Sequence, residues 1–227
     1  MLVNGRSTYL LSGDVKGGGL ALRSSPKKFL LLPNSSNNDD LESANSSPVL
    51  GDFQMDLAFP QDVLGPTVYA FSMVSREKGV NFDAVGFEPD AELPACLISS
   101  KHLQEAVSNI LDNAIKYAPR RRKGPGRPRI PSVKVTITPN KSPLEAGCTL
   151  WIEDNGPGIS ESERERVFER GYRSGFLDDI SGSGLGLTMS KQIIEQMGGR
   201  IDVMEDGGPS RLQGTTVRVI LFRDPEV

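Results

Sequence analysis

The stretch from His102 to Pro119, HLQEAVSNILDNAIKYAP, constrains this chain more than any other. Leu103, Ala106, Val107, Ile110, Leu111, Ala114 and Ile115 recur at three- and four-residue intervals, the period of one face of an α-helix. Ser99 or Ser100 stands where a hydroxyl can cap the first turn, and Pro119 stops the pattern because it has no N–H to donate. So continuous an apolar stripe has to be covered by a second layer. Beside it, Glu105, Asn109, Asn113 and Lys116 share a face. Amides and a lysine on a largely buried surface are costly unless a polar ligand meets them. Taken alone, an amphipathic helix with solvated amides explains them as well.

The segments around this helix supply the second layer. Phe53, Met55, Leu57 and Phe59 alternate as in a strand, and Val63, Leu64, Val68, Phe71, Met73 and Val74 make a helical stripe closed by Gly79. Val80 to Val85, Ala95 to Ile98, Val133 to Ile137, Cys148 to Ile152, Ile201 to Val203 and Thr216 to Phe222 read as strands. A last helix runs from Leu185 to Met197, ended by Gly198-Gly199. Strands and helices mix without a strict βαβ repeat. The expected fold is therefore α+β, a two-layer α/β sandwich with a mixed, mostly antiparallel sheet and helices on one face.

Residues 1–33 hold only short apolar runs between Gly and Ser, a segment of unclear structure. Residues 34–52 begin with NSSNNDDLESANSSP, which lacks the apolar surface to offset its ordering entropy and is expected to be a flexible linker. The regular domain spans 53–227. No apolar run approaches the roughly 18 residues of a membrane span; Phe29 to Leu32 already ends at Pro33. Asn4, Arg6 and Asp14 interrupt any signal-peptide layout. Cys96 and Cys148 are too few and too far apart in sequence for a disulfide framework or a zinc site.

Charge is unevenly placed. The net charge is -3, yet no acid lies between Asn113 and Leu144, where nine Lys and Arg fall; without those nine the remainder stands at -12. Their densest part, RRRKGPGRPRIP from Arg120 to Pro131, sits in an insertion at 119–132. Gly126-Arg127-Pro128 among basic residues resembles an AT-hook, which lays arginines in the narrow minor groove of A·T DNA. A solvated, proline-stiffened surface loop is the plainer reading, and an acidic partner or membrane surface is a further one.

Two more motifs carry chemistry. Trp151-Ile152-Glu153-Asp154-Asn155-Gly156-Pro157-Gly158-Ile159 is an apolar strand running into a carboxylate and two glycines. An Asp at a strand end can accept from an exocyclic amine, and the glycines let backbone approach a planar ring. Its plain alternative is a strand-to-turn junction. Ser181-Gly182-Ser183-Gly184-Leu185-Gly186-Leu187 opens a helix, where free N–H groups suit an anion. Neither a dinucleotide βαβ unit nor a Gly-Lys-Ser/Thr phosphate loop surrounds it.

In combination, the Asn-rich helix, DNGPGI, GSGLGL and Gly214-Thr215-Thr216 resemble the Bergerat-type ATP-binding fold shared by histidine kinases, gyrase, chaperone and mismatch-repair ATPases. The resemblance implies ATP and Mg²⁺ as ligands. It makes Asn113 the metal ligand, Asn109 a phosphate or metal contact, and Asp154 the acceptor for the adenine amine. Lys116 and Tyr117 lie beside phosphates and base, with Gly156, Gly158 and Ile159 against the ring and Thr215 supporting the pocket. Residues 155–185 enclose the lid, with Phe168 as its phenylalanine and Arg170 or Arg173 turned to the phosphates, while Gly182, Gly184, Leu185, Gly186 and Leu187 sit at the triphosphate.

Position 109 selects the branch. Hydrolytic relatives carry a glutamate there as general base; Asn109 cannot take a proton. The sequence is similar to the histidine-kinase branch, which passes the γ-phosphoryl to a protein side chain, with Asn109, Lys116 and Arg173 as the groups at the reaction. A hydrolytic ATPase of the same fold, or a non-catalytic ATP-sensing or DNA-tethered module, is the alternative. The phosphoacceptor is expected on a separate upstream domain, through which any dimer would form, with a response-regulator-like protein downstream. His102, the only histidine, lies eleven residues before Asn113 on the same helix, roughly 16 Å at about 1.5 Å per residue, too far to react in cis. It reads as a surface residue at the helix start. The mixture of bacterial-style motifs with a Ser/Asn linker is similar to plastid sensor kinases of plants and algae, giving the chloroplast stroma as the expected location.

Overall fold

The computed structural model describes residues 53–88, 90–119, 129–140, 146–173, 183–204, 207–210 and 212–223. The expectations for residues 1–33, for the linker, for the basic run 120–128 and for Gly182 lie outside the described residues. In chain order the elements are β1 (Asp56–Ala58), α1 (Pro60–Glu77), β2 (Asn81–Val85), β3 (Cys96–Ile98), α2 (Ser100–Tyr117), β4 (Ser132–Pro139), β5 (Gly147–Asp154), α3 (Gly186–Gln196), β6 (Arg200–Val203) and β7 (Thr216–Phe222). Five strands form one sheet in the order β2-β4-β5-β7-β6. β2 pairs parallel to β4 and the other neighbours are antiparallel, so the sheet is mixed and mostly antiparallel. β1 and β3 pair separately as a short antiparallel ribbon.

Strand alternation builds the two layers. Val133, Val135 and Ile137 of β4, Cys148, Leu150 and Ile152 of β5, and Val217, Val219 and Leu221 of β7 are all buried. The register aligns them, with Val135 opposite Ile152 and Ile152 opposite Val217. They join one core with Leu103, Val107, Ile110, Leu111 and Ile115 of α2 and Ile193 and Ile194 of α3. The intervening positions are more polar. Arg218 clasps Asp202 with Nε at 3.0 Å and Nη2 at 2.6 Å, and its guanidinium lies 5.8 Å from the Trp151 ring centre. The inward row of β5 continues past Ile152 to Asp154, and that continuation delivers a carboxylate into the helix layer.

Three expectations need correction. The alternating run Phe53 to Phe59 keeps only Asp56–Ala58 as strand, because β3 offers just Cys96, Leu97 and Ile98 to pair with it. Phe53 instead stacks on His102, ring centres 4.5 Å apart. His102 is consequently buried, at 5% exposure, rather than on the surface. Its Nδ1 lies 2.9 Å from the Ser99 hydroxyl, so Ser99 makes no side-chain cap and only its carbonyl starts α2, accepting from the Leu103 N–H at 2.8 Å. The two cysteines, distant in sequence, meet in the core as free thiols: both approach the Pro94 carbonyl, Cys148 Sγ at 3.4 Å and Cys96 Sγ at 3.8 Å. The neighbouring Cys96 thiol and then burial push the Cys148 thiol up.

Candidate functional site

Asp154 is 4% exposed at the end of an apolar row. Its Oδ1 accepts from the Gly156 N–H at 2.6 Å and the Thr215 N–H at 3.3 Å, and neither bond uses Oδ2. Desolvation dominates its titration and pushes the carboxyl up to about 6, against the pull of those donors and of the Arg129 charge. Glycine is required around it. A Cβ on Gly214 would stand 2.2 Å from the Asp154 carbonyl oxygen, and one on Gly156 would stand 2.7 Å from both Asp154 Oδ1 and the Tyr117 carbonyl oxygen. Gly158 has φ +73 and also faces Gly214, with Ile159 half-buried beyond it.

The Tyr117 contact means that the end of α2 abuts the DNGPG turn. Two turns earlier, Asn109 abuts the start of α3: a Cβ on Gly186 would lie 3.6 Å from Asn109 Cβ. The Ser190 hydroxyl fixes this approach, lying 2.9 Å from the carbonyls of both Ala106 and Gly186. Asn113, half-buried, lies one turn after Asn109, between the two contacts. Lys116 Nζ sits 5.8 Å from the Tyr117 ring centre. Burial raises the Tyr117 hydroxyl, and the Arg173 charge pulls it back, so Arg173 acts on this end of α2. Leu185 immediately precedes α3, and Leu187 packs against the core.

The described part of residues 155–185 contains two short 3₁₀ turns, Glu161–Glu163 and Arg166–Phe168. Phe168 is buried beneath Lys191, whose Nζ is 5.4 Å from the ring centre. The Gly171 N–H donates to the Gly184 carbonyl at 3.1 Å. Gly184 has φ +68, and a Cβ there would lie 2.8 Å from backbone atoms of Gly171 and Tyr172. The Gly171-Tyr172 segment and the glycine stretch are thus in backbone contact. Arg170 is exposed.

Sequence reasoning passed over two charged groups here. Glu153 points away from Asp154 yet is fully buried, because Ser210 covers it with its N–H at 3.1 Å and its hydroxyl at 2.6 Å. An acid inside an apolar strand was the available signal. Arg129, at the far end of the basic insertion, donates to the Gly156 carbonyl at 2.7 Å and the Gln213 carbonyl at 3.3 Å. Nothing local in RPRIP marks it out from the other arginines. Among the described residues no group of three or more His, Cys, Asp or Glu could hold a metal ion. On α2 the oxygen donors are the Asn109 and Asn113 amides, with the Glu105 and Asp112 carboxylates on the same helix.

A mixed sheet covered by helices on one face, with the inward row of its central strand ending in a carboxylate at a glycine turn, is the Bergerat architecture of ATP-binding domains. Residues 98–225 match the family described as histidine kinase-, DNA gyrase B-, and HSP90-like ATPase, and the chain belongs to that family. It is 33% identical over 139 residues to the chloroplast sensor kinase of Phaeodactylum tricornutum, covering 59% of this chain and 23% of that protein. Sensor histidine kinase Hik2 of Synechocystis is 32% identical over 151 residues, covering 66% of this chain and 32% of that one. The chain thus spans a third or less of the length of these relatives. Among solved structures, the mycobacterial sensor histidine kinase MprB superposes with a TM-score of 0.54 at 28% identity, over 71% of this chain and 95% of that one. The catalytic domain of histidine kinase ThkA shares the fold with a TM-score of 0.56 at 18% identity, over 76% and 98% of the two chains. No helix among the described residues is long and apolar enough to cross a membrane.

Proposed function

We propose that this chain is the ATP-binding catalytic module of a sensor histidine kinase, which binds ATP with Mg²⁺ and donates the γ-phosphoryl to a histidine on a separate domain in two-component signalling. The observation that carries this reading is a buried carboxylate with Oδ2 free of backbone donors, at a junction of loops packed so closely on it that Gly156 and Gly214 leave no room for a Cβ. The exocyclic amine of a flat heterocycle suits that oxygen, and Asp154 is its acceptor. Gly156, Gly158 and Ile159 line the ring, and Thr215 holds Asp154 in place. Gly184, Leu185, Gly186 and Leu187 belong to the triphosphate end, beside the lid residue Phe168.

The donor set fits the implied metal. Mg²⁺ prefers hard oxygen ligands and is held largely through substrate phosphates, so an Asn113 amide oxygen beside phosphate oxygens suffices. When bound, Mg²⁺ neutralises phosphate charge. Lys116 and Arg173 supply fixed positive charge, and Asn109 orients without accepting a proton. With no base of its own at position 109, the module leaves the nucleophile to its partner: the acceptor imidazole forms the new N–P bond as the bond to the ADP oxygen breaks. The phosphoacceptor domain, a downstream response-regulator-like protein and a chloroplast stromal location belong to the same proposal, which the names of the diatom and cyanobacterial relatives support.

The test is transfer of label from γ-labelled ATP. Label should pass to an added phosphoacceptor domain in acid-labile form, with little phosphate released when that domain is absent. Equal phosphate release without an acceptor would establish a hydrolase instead. Asn113→Ala should lose the Mg²⁺-dependent part of ATP affinity, read by calorimetry with and without the metal; unchanged Mg²⁺ dependence contradicts the ligand assignment.

A further inference from the structure

We infer that Arg129, carried in by the basic insertion, is a positioning residue of the nucleotide pocket, clamping together the two loops whose amides hold Asp154. The inference rests on the adenine reading of Asp154. Gly156 and Thr215 each give a backbone N–H to Asp154 Oδ1, from loops far apart in sequence. Arg129 grips both loops from the carbonyl side: Nη2 donates to the Gly156 carbonyl at 2.7 Å, and Nη1 to the carbonyl of Gln213, two residues before Thr215, at 3.3 Å. One planar guanidinium therefore sets the spacing between the amides that orient the carboxylate, a task a single ammonium cannot perform in the same way.

The insertion's exit is itself fastened so that Arg129 arrives in place. Asn155, between Asp154 and Gly156, donates its Nδ2–H to the Ile130 carbonyl at 2.8 Å and accepts the Ser132 N–H at 2.9 Å. The Asn155 N–H donates to the Ser132 carbonyl at 3.1 Å, and the Pro131 carbonyl accepts from the Asn81 N–H at 2.8 Å. Residues 130–132 are thus tied to the DNGPG turn and to the start of β2. Arg129 also acts through charge. The groups bearing on the Asp154 titration are the Gly156 and Thr215 donors and the Arg129 guanidinium, and the guanidinium favours the ionised carboxylate. The adjacent Glu153 turns to Ser210 on the other side of the strand. Its assigned role is positioning: it acts through Asp154 and the loops that hold it.

The experiment measures binding of ADP and a non-hydrolysable ATP analogue to the full chain by calorimetry from pH 5 to 8, for wild type, Arg129→Ala, Arg129→Lys, Asp154→Ala and the double variant Arg129→Ala/Asp154→Asn beside Asp154→Asn. Arg129→Ala should weaken binding about three- to tenfold, the range of one or two partly exposed hydrogen bonds. It should also move the acidic limb of the affinity profile to higher pH. Arg129→Lys keeps the charge and should restore the limb but only part of the affinity. On the Asp154→Asn background, removal of Arg129 should shift no limb at all. Circular dichroism shows whether Arg129→Ala is folded; if it is not, Arg129→Lys carries the test, and full affinity in that variant overturns the clamp. Wild-type affinity and pH profile in folded Arg129→Ala, with Asp154→Ala impaired, overturns this inference and leaves the adenine reading standing. Wild-type affinity in both removes the adenine reading and this one with it.

Discussion

Asp154 pits stability against binding. Its folded value of about 6 lies above the ordinary 3.8, with desolvation as the main cause. The folded state therefore holds the proton more tightly than the unfolded chain. Stability from this group is complete below about pH 3.8 and is lost as pH rises through about 6. At neutral pH the buried charge costs about 3 kcal/mol, taking 1.36 kcal/mol for each pH unit between those values. Asp154→Asn removes the charge and keeps an oxygen for the Gly156 and Thr215 donors. That variant should melt higher than wild type at pH 7.5, with the gap closing toward pH 4. Equal melting points at both pH values would show that Asp154 carries no such cost. The compensation is affinity: Asp154→Ala should weaken ATP binding by about 1.5–3 kcal/mol, the worth of a hydrogen bond to a charged acceptor. Calorimetry that finds undiminished affinity rejects the adenine assignment.

At the scale of elements, two glycines of nearly equal backbone geometry separate fold from site. Gly79 ends the α1 turn at φ +65 with nothing within 4 Å of a Cβ, whereas Gly184 at φ +68 would drive a Cβ to 2.8 Å from the backbone of Gly171 and Tyr172. Gly79→Ala should cost about 1 kcal/mol of stability through its left-handed backbone and leave nucleotide affinity alone. Gly184→Ala carries the same backbone penalty but also pries the lid from the glycine stretch, so nucleotide affinity should fall about tenfold. Calorimetric melts beside binding isotherms distinguish them, and parallel losses in both variants would undo the separation. The same contrast shows what a sequence discloses. β7 runs from Thr216 to Phe222 as its alternation indicates, and α2 and α3 follow their apolar stripes, because period and terminators are local properties. The strand at Phe53 to Phe59 shrank because its partner is three residues long, and pairing length belongs to both strands. Asp154, Gly156 and Thr215 were legible because motif order carries their proximity. Glu153, Arg129 and the burial of His102 were not: each depends on a residue 27 or more positions away, or on a ring stacked from outside the helix.

At the scale of the whole molecule, residues from Val49 onward cluster as one compact unit, in which Phe53 stacks on His102 and Met55 and Ala58 pack against the core. A chain beginning at residue 49 should therefore melt and bind nucleotide like the full chain. Beginning at residue 60 removes Phe53, uncovers His102 and strips β3 of its partner strand, which should lower stability by about 3 kcal/mol, the low end for deleting an aromatic because Phe53 is half-buried. The same burial bears on phosphotransfer. His102 is the only histidine, and it is 5% exposed, with its Nδ1 taken up with the Ser99 hydroxyl and one ring face covered by Phe53, so a phosphoryl donor has little access to it in the folded state. Incubated with labelled ATP, the chain should carry no acid-labile label, and His102→Phe, which keeps the stack, should transfer phosphate to an added acceptor domain at the wild-type rate. Label on His102, or transfer lost in a folded His102→Phe variant, would make the buried imidazole part of the reaction and require the helix start to open during turnover.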